Sequence, residues 1–302
     1  MKTAKYTIKE FNKQFPDDNA CLEFLLKTRY PQGVFCVKCQ KVTTHYRIAN
    51  RKVYSCEFCG NHVSPTANSI FHKSDTSLRS WFYAMYLMSS TRCGISAKQL
   101  ERELGVTYKT AWRMFKQIRT LLGGDTKPLT GEVELDETYM GGKAINMHAT
   151  KRAKLSGRGT ADKTPIFGAV ERKGKVMAVK VPNVDQATLI PHVKENVAPN
   201  TTVYTDEMGA YAPLKENGYN HQVINHSEHV YVRANVHTNT IEGFWSLVKR
   251  GIGGVYHSVS PQYLQSYVDE YSFRYNHRKD EKPMFQTFLN QIEPHAQRAE
   301  QP

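Results

Sequence analysis

The chain has 302 residues, room for two or three domains, and its 40% hydrophobic, 11% aromatic and 23% charged content excludes fibrous and disordered classes. It carries 41 Lys and Arg against 28 Asp and Glu, a net charge of +13 that favours a polyanionic partner, nucleic acid ahead of an acidic membrane surface. With no apolar run of membrane-spanning length and no apolar stretch in the first ten residues, membrane and secreted classes are disfavoured and a reducing, cytoplasmic compartment is expected.

The charge is uneven. Residues 1–64 hold eleven basic and five acidic side chains, residues 65–125 nine and four, and residues 126–302 twenty-one and nineteen. A nucleic-acid-gripping front half and a nearly neutral back half are predicted, although a merely solvated basic surface gives the same count.

Residues 1–29 read as an N-terminal helical segment. Four of the six cysteines then form Cys36-Val-Lys-Cys39 and Cys56-Glu-Phe-Cys59 with sixteen residues between the pairs. Each short pair can present two thiolates from a tight knuckle, and two knuckles complete a closed tetrahedral zinc shell. A zinc ribbon over residues 30–65 is predicted, with a short hairpin between Thr43 and Tyr54; two disulfides are the alternative, disfavoured in a reducing compartment. His45, His62 and His72 are not needed as ligands, and Cys21 and Cys93 read as small hydrophobes.

Residues 74–124 have helical periodicity. Leu78, Trp81, Phe82, Met85, Tyr86 and Met88 mark a first helix capped by Ser74 or Asp75 and ended by Gly94. A second runs over Ser96–Leu104, Gly105-Val106-Thr107 makes a tight turn, and Tyr108–Leu122 forms a third. This is helix-turn-helix logic, and on the third helix Lys109, Arg113, Lys116 and Arg119 recur as a basic stripe able to face a DNA groove; a plain bundle with a solvated face is the alternative. Residues 123–128 read as a linker.

In the back half, Gly131-Glu-Val-Glu-Leu-Asp136 predicts a strand with Val133 and Leu135 on one face and Glu132, Glu134 and Asp136 on the other. Pro165–Glu171 and Lys175–Val181, joined at Lys173-Gly174, predict a hairpin, and Ala187–Val197 a short helix. Thr201–Asp206 is a strand ending on an acid. A helix opening at Thr238 or Asn239 carries Glu242, with Lys249 two turns on and Arg250 beside it. Ser260–Asn276 reads as an amphipathic helix packed on the sheet. Acids on two strands and one helix can converge on a pair of Mg²⁺ or Mn²⁺ ions, which bind carboxylate oxygens and keep positions for phosphate, as phosphodiester cleavage and transfer require.

These segments resemble the DDE transposases of bacterial insertion sequences, in the zinc-ribbon group with an ISXO-type core. The resemblance rests on Val133-Glu-Leu-Asp-Glu-Thr-Tyr-Met-Gly-Gly142, on Tyr204 to Glu207 with Gly209-Ala-Tyr211, on His237-Thr-Asn-Thr-Ile-Glu-Gly-Phe-Trp-Ser-Leu-Val-Lys-Arg250, and on Tyr256-His257 and Tyr271 to Arg278. It implies a multidomain α/β chain, with an RNase H-like core of mixed sheet and flanking helices over residues 129–292 and a tail over 293–302. It further implies Asp136 and Asp206 on adjacent strands as metal ligands, with a third ligand on a later helix. That ligand is Glu242 or Asn239; a carboxylate gives a hard cation more charge than an amide, so Glu242 is preferred and Asn239 is left as a helix cap. Glu134 or Glu137 in place of Asp136, and Glu207 in place of Asp206, stay open. His237, His257 and His277 are read as DNA-facing or structural.

The expected activity is binding of element ends through the ribbon and helical module, then metal-dependent strand cleavage and transfer into target DNA. Lys249 and Arg250 would hold a phosphate, and a dimer or larger assembly, associated with a bacterial nucleoid, would bring two ends together. A zinc-ribbon transcriptional regulator, or an inactive transposase derivative, is the rival reading; a nuclease that cuts without joining is another.

Overall fold

The computed structural model describes residues 5–123, 127–142, 148–153, 163–224 and 237–292. Positions 124–126 of the expected linker and the expected tail over 293–302 lie outside them. The chain forms two compact units, Met1–Leu121 with Asp280–Pro302, and Leu122–Lys279. No helix among the described residues is long and apolar enough to cross a membrane.

In the first unit, α1 (Ile8–Gln14) opens with a capping box between Thr7 and Glu10, and α2 (Asp18–Arg29) is capped by Asp17. Five short strands follow. β1 (Val34–Cys36) pairs with β2 (Lys41–Thr43), and β4 (Tyr54–Cys56) lies between β3 (His45–Arg47) and β5 (His62–Val63), all antiparallel. The hairpin predicted between Thr43 and Tyr54 is the β3–β4 pair.

Helix α3 (Leu78–Ser90) starts later than predicted. Its cap is Ser77, because the Ser74 hydroxyl instead accepts the Trp81 indole N–H at 3.0 Å. The first-turn amides of Leu78 and Arg79 donate to the Asp18 carboxylate at 3.1 and 2.9 Å, tying α3 to α2. The helix ends at Ser90, before Gly94, with Thr91 as its C-cap. Helix α4 (Ala97–Leu104) runs from a Ser96 cap to Gly105 at φ +64°, a left-handed conformation that costs a glycine nothing. Thr107 then caps α5 (Tyr108–Arg119).

The second unit is built on a mixed five-stranded sheet. Its strands are β6 (Glu132–Met140), β7 (Thr164–Glu171), β8 (Val176–Lys180), β9 (Thr202–Thr205) and β10 (Asn220–Val223), in the spatial order β10-β9-β6-β7-β8. β6 is parallel to β9 and antiparallel to β7, and β9 is parallel to β10. The β7–β8 hairpin turns at Lys173, φ +64°, beside Gly174 as predicted. After the short α6 (Ala149–Arg152), α7 (Gln186–Asn196) packs on one face of the sheet with Val133, Leu135, Phe167 and Ala169. α8 (Asn239–Gly251) and α9 (Leu264–Asn276) cover the other, with Met140, Ile166, Val170, Val176 and Ala178. The period-two alternation along β6 and β7 thus splits the core into two layers. α9 begins at Leu264 rather than at a Ser260 cap, since residues 261–263 form a turn in which the Tyr263 amide donates to the Ser260 carbonyl at 2.9 Å.

The catalytic core expected to run to residue 292 belongs to a compact unit ending at Lys279. The last helix, α10 (Met284–Asn290), packs on α3, its Phe285 ring lying 4.9 Å from Tyr6, 5.9 Å from Phe11 and 5.7 Å from Tyr86. An aromatic cluster of the first unit therefore captures a segment from the far end of the sequence.

Candidate functional site

The ribbon presents two matching knuckles. The Gln40 amide donates to the Cys36 carbonyl at 2.8 Å and the Gly60 amide to the Cys56 carbonyl at 3.0 Å, each turn closing through a positive φ. This brings all four sulfurs within 4.8 Å of one another, with Cys36 and Cys59 at 3.5 Å and Cys39 and Cys56 at 3.9 Å. Tetrahedral zinc with bonds of about 2.3 Å would set sulfurs roughly 3.8 Å apart, so Cys36, Cys39, Cys56 and Cys59 fit a structural zinc. Cys21 is buried apart from them, and Cys93 is exposed rather than the core residue expected.

On α5, Lys109, Arg113 and Lys116 are exposed, with Lys116 over the Trp112 ring and Arg113 within 3.4 Å of the Ser74 hydroxyl. Arg119 departs from the predicted stripe. It is buried and lies over the Phe115 ring at 5.7 Å, because the last turn of α5 points that position into the bundle.

The three acidic positions lie in the second unit, Asp136 on β6, Asp206 just past β9 and Glu242 in the first turn of α8. Glu134 on β6 is in register with Tyr204 on the parallel β9, where the pairing ends; Asp136 lies two residues further along β6, and Asp206 follows the last residue of β9, near enough for its charge to act on Asp136. On its other side Asp136 faces Gly168 of β7. A Cβ on Gly168 would lie 2.4 Å from the Trp245 ring, so the missing side chain lets α8 press onto the strand next to Asp136. Glu242 sits one turn before Trp245 on that helix.

Burial raises the Asp136 carboxyl to about 6, and the carboxylates of Asp206 and Glu242 push the same way; the Glu137 backbone N–H and the Trp245 indole oppose them. Glu137 is raised to about 8, chiefly by burial, then by Asp136 and Asp206, and its Oε1 is buried without a hydrogen-bond partner. Asp206 accepts the Met208 amide at 3.1 Å through Oδ1, and Glu242 accepts the Thr238 hydroxyl at 3.1 Å through Oε1. Among the described residues only the four cysteines bring three or more donor atoms within 4.8 Å, so the carboxylates form a more open group than the sulfurs. Carboxylate oxygens are a donor set suited to hard divalent cations.

The alternatives separate. Glu134 shares a strand face with Asp136, yet it is fully buried and held by Arg172 of the segment after β7 and by amides of α8. Glu137 has the opposite strand parity to Asp136, and Glu207 is exposed just beyond Asp206. Asn239 is the first residue of α8, exposed, and Thr238 rather than Asn239 is the N-cap. Lys249 and Arg250 are exposed in the last turn of α8. His237 lies 3.2 Å from Glu134, His277 stacks near Phe273 at 4.3 Å, and His257, at φ +61°, follows a π-helical turn, Ile252–Tyr256. The sequence reading missed Trp245, Gly168 and the Glu134 pairing; the acids were visible in the strand pattern, but their partners lie on other elements.

Residues 128–276 match the ISXO2-like transposase domain and residues 16–62 the transposase zinc-ribbon domain. The chain is 29% identical over 293 residues to a protein in transposable element ISH50 of Halobacterium salinarum, covering 92% of this chain and 97% of that one. It is 36% identical over 104 residues to a transposase-like protein of Haemophilus influenzae, covering 34% of this chain and 83% of that one. A ribbon whose sulfurs fit zinc, an acidic group at the meeting of β6, β9 and α8, and matches across both segments have one reading: the chain belongs to the IS1595-type transposase family.

Proposed function

We propose that this transposase binds the ends of its element and carries out cation-dependent strand cleavage and strand transfer at Asp136, Asp206 and Glu242, on a core of RNase H-like type. What supports the reading is the placement of three carboxylates, Asp136 on β6, Asp206 just past the end of the neighbouring β9 and Glu242 in the first turn of α8, which packs on β6. Mg²⁺ or Mn²⁺ held there would activate the attacking water or 3′ hydroxyl and stabilise the leaving oxygen. Asp136 on β6 and Asp206 at the end of the adjacent parallel β9 supply a base for the cations, and Glu242 closes the group from α8. The exposed Lys249 and Arg250 hold the DNA phosphate along the same helix, and Gly243, beside Glu242 with nothing within 4 Å of a would-be Cβ, leaves room for the strand. The zinc-bearing ribbon and the α4–α5 pair, with Lys109, Arg113 and Lys116 exposed, grip the element ends. Bringing two ends together calls for at least a dimer on DNA.

Asp206→Asn is expected to abolish Mg²⁺-dependent cleavage of end DNA while leaving binding to that DNA within about twofold, because one carboxylate is lost from the cation site and none from the basic module. Retained cleavage would reject the assignment. A DNA-binding regulator on the same scaffold would take up zinc but no Mn²⁺, which a metal titration of the zinc-loaded protein separates from the enzyme.

A further inference from the structure

Glu134 stands two residues before Asp136 and is fully buried. Its Oε1 accepts the Arg172 Nε–H at 2.8 Å and the Thr240 hydroxyl at 2.8 Å and lies 3.2 Å from His237 Nδ1. Its Oε2 accepts the backbone N–H groups of Thr240 at 2.7 Å and Ile241 at 3.0 Å. Arg172 also donates to the His237 carbonyl at 2.8 Å and lies over the Tyr204 ring at 4.0 Å, and the Tyr204 hydroxyl donates to Glu132 at 2.7 Å. One network therefore joins β6, β9, the end of β7 and the start of α8.

The need for it is visible in the helix. The first amides of an α-helix have no partner within the helix, and here the N-cap Thr238 gives them no side-chain hydrogen bond. A carboxylate from a strand more than a hundred residues away takes that place, and its charge also meets the positive end of the helix dipole. With both oxygens engaged by four donors, Glu134 has no lone pair aimed at a cation.

We infer that Glu134 is a positioning residue. Assisted by Arg172 and Thr240, it seats the first turn of α8 on β6 and so fixes where Glu242 stands relative to Asp136. This rests on the reading of Asp136, Asp206 and Glu242 as the cation-binding acids. Glu134 acts on the site through the backbone of α8 and touches no reacting group.

The test uses the full-length, zinc-loaded protein with Glu134→Gln and, as a milder isosteric change that keeps the buried charge pair, Thr240→Val. Three quantities are read: amide hydrogen exchange at Thr240 and Ile241, Mn²⁺ affinity by titration, and the Mg²⁺ concentration for half-maximal cleavage of end DNA. For Glu134→Gln, exchange at those two amides should rise at least about tenfold over the rest of the sheet, the scale of one lost charge-assisted hydrogen bond. Both metal half-saturation points should rise several-fold with DNA binding unchanged, and Thr240→Val should shift the same quantities by about threefold, carrying the test should Glu134→Gln fail to fold. A purely structural role would lower the melting temperature and leave the metal dependence of the folded protein at its wild-type value, which would overturn the inference, as would wild-type exchange at Thr240 and Ile241. If wild-type protein binds no Mn²⁺ at the acids, the functional reading is what fails, and the exchange measurement still decides whether Glu134 seats the helix.

Discussion

Asp136, Glu137 and Glu134 lie within four residues of one strand, and their surroundings assign them different work. Asp136 is raised to about 6 and Glu137 to about 8, burial being the first cause in each, whereas Glu134 is fully buried against a guanidinium. A carboxyl whose folded value lies above its unfolded value of about 4 stabilises the fold fully below that value and loses the contribution as pH rises through the folded one. For Asp136 the loss falls between about pH 4 and 6, and Glu137 extends it to about 8. Zinc-loaded Asp136→Asn without added Mg²⁺ or Mn²⁺ is therefore expected to be more stable than wild type at pH 8, by about 1 kcal/mol or 2–4 °C, the partial exposure of the site reducing the full electrostatic figure. The difference should vanish below about pH 4 in thermal melts. Equal melting temperatures at pH 8 would mean that neither burial nor the neighbouring carboxylates disfavour the charged form of Asp136. Which acid did which job was not legible in the sequence. Glu134 and Asp136 have the same strand parity, and only Arg172 and the start of α8, remote along the chain, tell them apart.

At the scale of elements, the seat of α8 on the sheet sets where Glu242 stands relative to β6. Gly168 makes it possible: a methyl group there would press into Trp245 at 2.4 Å and reach Ile241 at 3.1 Å. Gly168→Ala should cost about 1–3 kcal/mol through overpacking, read by chemical denaturation, and should lower cleavage more than it lowers DNA binding. A variant as stable as wild type would show that α8 can lift from β7 at no cost. Elements fixed by local chemistry were legible: the Lys173-Gly174 hairpin and the turn opening at Gly105 stand where the pattern places them, and the helix read from Ser96 begins one residue later with Ser96 as its cap. Those decided by distant partners were not. The start of α3 moved because Trp81 claims the Ser74 hydroxyl, and the apolar residues of α10 read equally well against the sheet until Phe285 is found among Phe11, Phe15 and Tyr86. The order β10-β9-β6-β7-β8 is likewise a matter of tertiary pairing, and it makes the strand carrying Asp136 the neighbour of the strand that leads to Asp206.

Across the whole molecule, the excess of positive charge lies in the first 125 residues, while the acids gather in the unit that is nearly neutral in sum. Under the proposed function such a division separates gripping from chemistry, and ionic strength can read it. Each phosphate neutralised by a basic side chain contributes about 0.9 to the slope of log affinity against log salt concentration. Lys109, Arg113 and Lys116 share the exposed side of α5, so replacing all three with Ala should flatten that slope by roughly 2–3 and weaken binding to end DNA most at low salt. Arg119 sits at the next step of the same helical spacing but is buried over Phe115, and Arg119→Ala should lower the melting temperature and leave the slope of the folded protein at its wild-type value. Asp206→Asn, which removes charge only from the acidic unit, should leave the slope intact while cleavage disappears. A triple variant with an unchanged slope would move the DNA grip away from α5, to the ribbon or to the Lys249-Arg250 end of α8. The shared spacing of the four basic residues, the only evidence the sequence offers for a stripe, cannot make that distinction; burial of Arg119 reduces the surface to three charges, and the salt dependence counts them.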